Sequence, residues 1–205
     1  MNLRRFAGLF LGVVVLCGSA LAADEYKIDP VHSAVAFSVK HMVVNTVHGR
    51  FNDWSGQILY DDKDLSRSSV NVVIKTASIN TDNSQRDGHL KSPDFLDVQK
   101  YPEITFQSKS VEKTKDGFVA HGVLTIRGVS KNVDLPFKLN GPISVGGAGL
   151  LGAEASVTIN RQDFGVSWSK SLDGGGLVVA NDVKIDINVE AKQARPAAGS
   201  AGAGK

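Results

Sequence analysis

The sequence of 205 residues predicts an all-β fold of about eight antiparallel strands, and three patterns support this expectation. Apolar and polar residues alternate along several segments, as they do in strands that bury one face. Glycine-bearing turns separate these segments, and short turns of this kind favour antiparallel pairing. Only one stretch, between residues 82 and 100, breaks the strand pattern. Alternation alone is compatible with a closed barrel and with a two-layer sandwich.

The alternation is clearest near the C-terminus, where Val183, Ile185, Ile187 and Val189 share one face of a predicted strand. Similar patterns predict strands at residues 35–39, 70–74, 104–106 and 133–139. Residues 118–126 are apolar on both faces, which predicts a strand covered on both sides. Glycine, alone or with Asn, Asp or Pro, predicts turns at residues 115–117, 140–142, 146–147 and 173–176.

Residues 81–91 form the polar stretch that interrupts the strands. Asp82 or Asn83 is suited to cap a short helix there. Ser92 followed by Pro93 matches the start of a second helical turn. We therefore expect one or two short helices between residues 82 and 100. A long connection with its own helical turns is suited to close one end of a barrel.

The N-terminus has the features of a cleavable signal peptide. Arg4 and Arg5 precede an apolar run, and Ala20 and Ala22 supply small side chains before a cleavage point. The apolar run is shorter than the roughly 20 residues that cross a bilayer, so no stable membrane anchor is expected. Cys17 suggests lipid attachment as an alternative, but the leucine before it disfavours that processing.

These features predict a signal peptide at residues 1–22, one domain at residues 23–190 and a disordered tail at residues 191–205, with export to the periplasm. The chain has 23 basic and 21 acidic residues, and the leader holds two of the basic ones. The exported domain is therefore neutral, without the clustered basic face that nucleic-acid binding requires. The one cysteine of the chain lies in the leader, so no disulfide is expected in the exported domain.

No catalytic pattern is apparent in the sequence. His32 and Ser33 are adjacent, and neighbouring strand residues point to opposite faces. Ser33 and His41 share a face but lie roughly 26 Å apart along it. The histidines lack the His-x-His and His-Glu-x-x-His spacings of metal sites. We therefore expect neither serine catalysis nor a local metal site, and no cofactor; a metal site assembled from distant strands is the alternative.

Three arginines, Arg86, Arg127 and Arg161, lie at the ends of apolar runs or in the predicted helix. An arginine at a barrel mouth can pair with a phosphate or another acidic head group through its planar guanidinium. The alternative is a structural ion pair, between Arg161 and Asp163 or between Arg86 and one of the aspartates beside it.

Six short segments, taken in order and spacing, resemble the YceI-like family of polyisoprenoid-binding periplasmic proteins. The resemblance runs from Tyr26 to about Val189. Its segments are Ile28-Asp29-Pro30-Val31-His32-Ser33, Phe37-Ser38-Val39-Lys40-His41, Gly49-Arg50-Phe51, residues 86–106 from Arg86-Asp87-Gly88-His89 to Ile104-Thr105-Phe106, Leu124-Thr125-Ile126-Arg127-Gly128-Val129-Ser130-Lys131, and Asn160-Arg161-Gln162-Asp163-Phe164-Gly165.

The resemblance implies a lipocalin-like antiparallel barrel with a helical lid and a long-chain isoprenoid or similar amphiphile in its lumen. It implies no catalytic mechanism. The apolar face predicted to contact the ligand is Val35, Phe37, Val39, Ile74, Phe106, Leu124, Leu135, Phe137 and Ile185. The polar residues predicted to meet its head group are His41, Arg86, Arg127 and Arg161.

Two other classes of function fit the same sequence. In the first, side chains fill the barrel and the protein binds a partner in the cell envelope. In the second, it is an enzyme that modifies a lipid or quinone with residues such as His32, His41 or Asp87. A continuous internal cavity would favour the carrier over the filled barrel. A closed barrel has no free edge that demands strand pairing between copies, although a homodimer through other faces is possible.

Overall fold

The computed structural model describes residues 23–173 and 175–194, which form a closed antiparallel β-barrel with one α-helix. The elements in chain order are β1 (Asp24–Ile28), β2 (Ala34–His41), β3 (Asn45–Phe51), β4 (Trp54–Tyr60), β5 (Ser69–Lys75), β6 (Ile79–Asn80), α1 (Ser84–Lys91), β7 (Glu103–Thr114), β8 (Gly117–Ile126), β9 (Val129–Val145), β10 (Ala148–Asn160) and β11 (Val179–Gln193). Short 3-10 turns lie at Leu65–Arg67, Thr76–Ser78 and Arg161–Phe164.

The barrel closes because β11 pairs with the first strands of the chain as well as with β10. Its residues 179–188 pair with β2, and its residues 191–193 pair with β1. β1 and β2 are therefore two halves of one interrupted strand, and β4 with β3 and β5 with β6 continue each other in the same way. The resulting eight-membered ring confirms the predicted lipocalin-like barrel and excludes the sandwich.

The two ends of the barrel differ. The lid end carries α1, the segment 92–102, the turn Arg161–Phe164 and the β2–β3 hairpin. The opposite end carries the turn Leu65–Arg67 and the β9–β10 hairpin. The helix begins where Asn83 accepts a hydrogen bond from the backbone of Arg86 at 3.0 Å, as a capping residue does. One α-helix between residues 82 and 100 agrees with the expectation of one or two.

Three expectations about individual segments were wrong or incomplete. The predicted turn at residues 140–142 is a strand, because β9 continues to Val145 and accommodates Gly141 by a register shift against β10. β8 is covered on one face only, since Ala120 is buried while Val119 and Val123 are half-buried. β11 runs to Gln193, past the expected domain boundary at residue 190.

The predicted signal peptide at residues 1–22 and most of the predicted tail at residues 191–205, from residue 195 onward, lie outside the described residues. Within residues 23–194, apart from residue 174, no helix has the length and hydrophobicity that a bilayer crossing requires.

Candidate functional site

The barrel encloses a cavity of about 280 Å³ that side chains from all parts of the ring surround. A cluster around Phe106, Leu124 and Phe164 packs toward the lid end. A second cluster, around Tyr26 and Leu151, packs toward the opposite end. The interior is therefore partly filled by side chains, and the remaining space lies between them. This volume is near the lower limit of the range typical for small-molecule sites.

Every residue predicted to form the lumen face lines this cavity. The set is Val35, Phe37, Val39, Ile74, Phe106, Leu124, Leu135, Phe137 and Ile185. Strand alternation explains the placement, since residues two apart on a strand face the same side. Their contact with a ligand stays a prediction.

The cavity wall is almost entirely hydrocarbon. Among the described residues that line it, only Trp54, Tyr60, Ser68 and Arg161 carry a polar side-chain atom. The Ser68 hydroxyl is occupied, because it accepts a hydrogen bond from the Asp61 backbone at 3.0 Å. An apolar wall attracts hydrocarbon and rejects groups that need hydrogen bonds.

Arg161 is the buried cation beside this wall, with 6% of its surface exposed. Its guanidinium donates to the carbonyl oxygens of Val166 at 2.6 Å and Ala180 at 3.0 Å, and to the Asn181 side chain at 3.2 Å. Burial lowers the pKa of the guanidinium. Among the described residues, no carboxylate forms an ion pair with it. Its contacts join the end of β10 to the start of β11, rather than forming the alternative ion pair with Asp163.

Arg127 and Arg86 also bind backbone carbonyls. Arg127 occupies a left-handed conformation (φ 51°) between β8 and β9 and donates to the carbonyls of Pro93 and Gly165, both at 2.8 Å. It thereby ties two lid segments to the barrel rim. Arg86 donates to the carbonyl and the hydroxyl of Thr81, both at 2.8 Å. The two arginines are thus engaged by the loops of the lid end.

His41 is the fourth residue predicted to meet a head group. It is the last residue of β2, where it is half-buried and pairs with Val179 and Asn45. Alternation places it on the same face as Val39, which lines the cavity. His41 therefore lies at the rim of the lid end. Contact of His41 and of the three arginines with a head group stays a prediction.

An aromatic group that the sequence did not single out as a unit packs at the lid end. The rings of His89 and Phe95 lie 4.9 Å apart, those of His89 and Trp168 5.3 Å, and those of Phe95 and Trp168 5.4 Å. The two contacts of His89 are edge-to-face, an arrangement that adds stability beyond the area it buries. Sequence spacing could not reveal the group, because its members come from α1, the following segment and a distant loop.

The candidate catalytic residues near the N-terminus have structural partners. Ser33 exchanges hydrogen bonds with the backbone of Glu190, at 2.9 and 3.2 Å, which holds the break between β1 and β2 against β11. His32 contacts Asp29 at 3.3 Å and Glu190 at 3.6 Å. Asp29, His32 and Glu190 could share a cation, but Lys192 already supplies a positive charge 2.6 Å from Asp29 and holds the pKa of that carboxyl well below its usual range.

Comparison with known proteins agrees with this architecture. A family model described as the YceI-like domain matches residues 26–191. A UPF0312 protein of Yersinia pestis is 38% identical over 196 residues, which cover 94% of this chain and 98% of the relative. The crystal structure of the Campylobacter jejuni YCEI protein is similar with a TM-score of 0.66 at 33% identity, over 76% of this chain and 90% of that one. A polyisoprenoid binding domain from Saccharophagus degradans has a TM-score of 0.61 at 16% identity, over 85% of this chain and 100% of that one. The chain belongs to the YceI-like family.

Proposed function

We propose that this protein is an exported binding protein that carries a long-chain isoprenoid, or a similar amphiphilic lipid, in its barrel. The observation that carries the proposal is the cavity of about 280 Å³ with an almost unbroken hydrocarbon wall. A wall of this kind offers a ligand apolar contact along its length and few hydrogen bonds. A hydrocarbon tail is the ligand part that gains most from such surroundings.

The energetics favour a tail over a compact polar ligand. Burial of each methylene stabilises the complex by about 0.8 kcal/mol. Ordering the tail and the two partners offsets much of that gain, so a tail of many carbons is needed for useful affinity. The Saccharophagus domain of the same fold is described as polyisoprenoid binding. That description supports an isoprenoid tail as the ligand class to test first.

The proposed localisation to the periplasm rests on the signal-peptide pattern of residues 1–22. Binding without catalysis is part of the proposal. It is supported by the structural partners of Ser33 and of His32, and by the hydrogen bonds that Asp87 accepts from the backbone and hydroxyl of Thr81.

The first experiment is mass spectrometry of the protein purified from its native periplasm, as an intact complex and as an organic extract. We expect one amphiphile per protein, released when the protein unfolds. A protein that is folded, empty and still empty after incubation with membrane lipids would contradict the carrier function and favour a barrel that binds an envelope partner.

A pair of variants on one strand tests the location of the ligand. Ala155 lines the cavity, whereas Thr158 is exposed on the outer face of the same strand. Ala155→Phe should occupy ligand space and weaken binding at least tenfold, since it removes several methylene contacts. Thr158→Phe adds the same ring outside and should bind normally. Equal binding by the two variants, both shown to be folded, would place the ligand elsewhere.

A further inference from the structure

The tip of the β2–β3 hairpin, residues 42–44, is an exposed apolar surface at the lid end. Met42 is 43% exposed, Val43 67% and Val44 86%. Single exposed apolar residues are common on proteins, but a contiguous group on a projecting turn is a feature of interaction sites. Three residues are far fewer than the 20–30 per partner of a stable protein interface. Insertion into a bilayer requires neither an interface of that size nor a complementary shape.

The backbone of this tip adopts a left-handed conformation that residues other than glycine rarely adopt. Met42 has φ 49° and Val43 has φ 65°, in the left-handed region. A β-branched residue is a rare choice there, and Asn or Gly would fit at lower cost. Strain of this kind persists where the side chain has a function. The sequence thus retains apolar side chains where the fold favours Asn or Gly.

The tip adjoins the lid end of the cavity. Met42 donates a backbone hydrogen bond to Val178 at 2.8 Å, and the next residue, Val179, lines the cavity. On the other side, Val39 lines the cavity three residues before Met42. A surface that contacts the tip is therefore also brought against the end of the barrel that α1 covers.

Two lysines beside the tip can contact anionic lipid head groups. Lys40 precedes it on β2 and is exposed. Lys170 is exposed on the neighbouring loop, where its carbonyl accepts a hydrogen bond from Val178. Asp173 is acidic on the same loop, and Asp182 is exposed on the stretch of β11 that faces Lys40, so the acidic and basic groups around the tip balance. Lysine near an anionic bilayer strengthens binding, and the effect falls with added salt.

We propose that residues 42–44 insert into the surface of an anionic lipid bilayer and set the lid end of the barrel against the membrane. This places the cavity where an amphiphile can pass between bilayer and barrel without crossing water. The purpose of the contact rests on the proposed carrier function, but the contact itself requires no ligand in the lumen. The two can therefore fail separately.

Flotation with vesicles tests the contact, using the exported protein purified from the periplasm and vesicles of phosphatidylglycerol with phosphatidylethanolamine or of phosphatidylcholine alone. We expect binding to the anionic vesicles that weakens with salt. The variant Val43→Asn with Val44→Ser should bind about tenfold more weakly for each valine removed. Lys40→Glu should weaken binding to the anionic vesicles. Ile143→Ser with Val145→Ser, which removes exposed apolar residues at the opposite end, is the matched control and should bind normally.

Thermal unfolding separates this function from a structural role of the tip. Val43→Asn relieves the left-handed strain, so it should raise the melting temperature while it lowers vesicle binding. No vesicle binding by the parent protein, or equal binding by the tip variant, would overturn the proposal. Loss of a dimer in the tip variant without any vesicle binding would assign the surface to a second copy and also overturn it. Ligand binding in solution, measured on the same variants, should be unchanged and reports on the carrier function alone.

Discussion

Replacing Arg161 by methionine should destabilise the barrel strongly while leaving its lumen able to bind. Methionine keeps an unbranched apolar stem of similar length beside the cavity, so the wall changes little. The guanidinium is lost, and with it the hydrogen bonds to the carbonyls of Val166 and Ala180 and to the Asn181 side chain. The substitution therefore distinguishes a structural role of Arg161 from a role in ligand contact.

The magnitude follows from those bonds. Hydrogen bonds from a charged donor stabilise a protein by about 1.5–3 kcal/mol each, and relief of the burial of the Arg161 charge offsets part of their loss. We expect a net loss of about 3 kcal/mol of unfolding free energy. Total stabilities are about 5–15 kcal/mol, so this is a large share. Arg161→Lys should lose about half as much, since an ammonium cannot reproduce the planar fork.

Equilibrium unfolding in urea, followed by far-ultraviolet circular dichroism, measures the effect. With a slope typical for small proteins, the midpoint should fall by about 1–2 M. Lys138→Met changes an exposed cation on β9 and should leave the midpoint in place. A loss of unfolding free energy below about 1 kcal/mol would refute the structural role of Arg161. If ligand affinity fell while stability held, Arg161 would be a head-group contact after all.

Two further predictions concern the lid and the outer face. Arg127→Asn suits the left-handed backbone but removes both bonds to the lid segments, so hydrogen exchange there, measured by mass spectrometry, should accelerate roughly tenfold with little change in melting temperature. Unchanged hydrogen exchange in the lid segments would show that the two hydrogen bonds of Arg127 do not stabilise them. His121 has its pKa raised, first by the hydrogen bond to Asp134 and then by that to Glu112. Its contribution to stability is therefore full below about pH 6.5 and is lost as the pH rises through the higher pKa of the folded state. Unfolding titrations across that range should show this slope, and Asp134→Asn should reduce it; an identical slope in the variant would exclude the pair as its source.

The sequence predicted the inward face of the barrel well because alternation is a local property. Val35, Phe37 and Val39 must share a face wherever the strand lies, and burial of one face fixes which side they take. Closure into a barrel is not local. It depends on β11 pairing with both halves of an interrupted first strand, and only the family resemblance indicated it before the structure did.

The arginines show what sequence patterns could not reveal. Arginine at the end of an apolar run suggests a head-group contact or an ion pair with an acidic neighbour. Arg127 and Arg161 instead donate to backbone carbonyls, and a carbonyl carries no mark in the sequence that identifies it as a partner. Residues 38 and 34 positions away from Arg127 supply its acceptors, so no local spacing could predict them.

Arg127 and Arg161 donate to backbone carbonyls, so the lumen offers few polar partners to the head group of the proposed amphiphile. A polar head group placed inside would meet hydrocarbon on nearly every side, and burial of such a group without hydrogen bonds costs about 2–7 kcal/mol. At the rim of the lid end, His41 lies on the face of β2 that continues from the cavity wall. For the proposed amphiphile we therefore expect the tail to lie inside the barrel and the head group to stay at the mouth. A head group held there would remain in contact with water, so loading and release would move the tail alone through the apolar lumen.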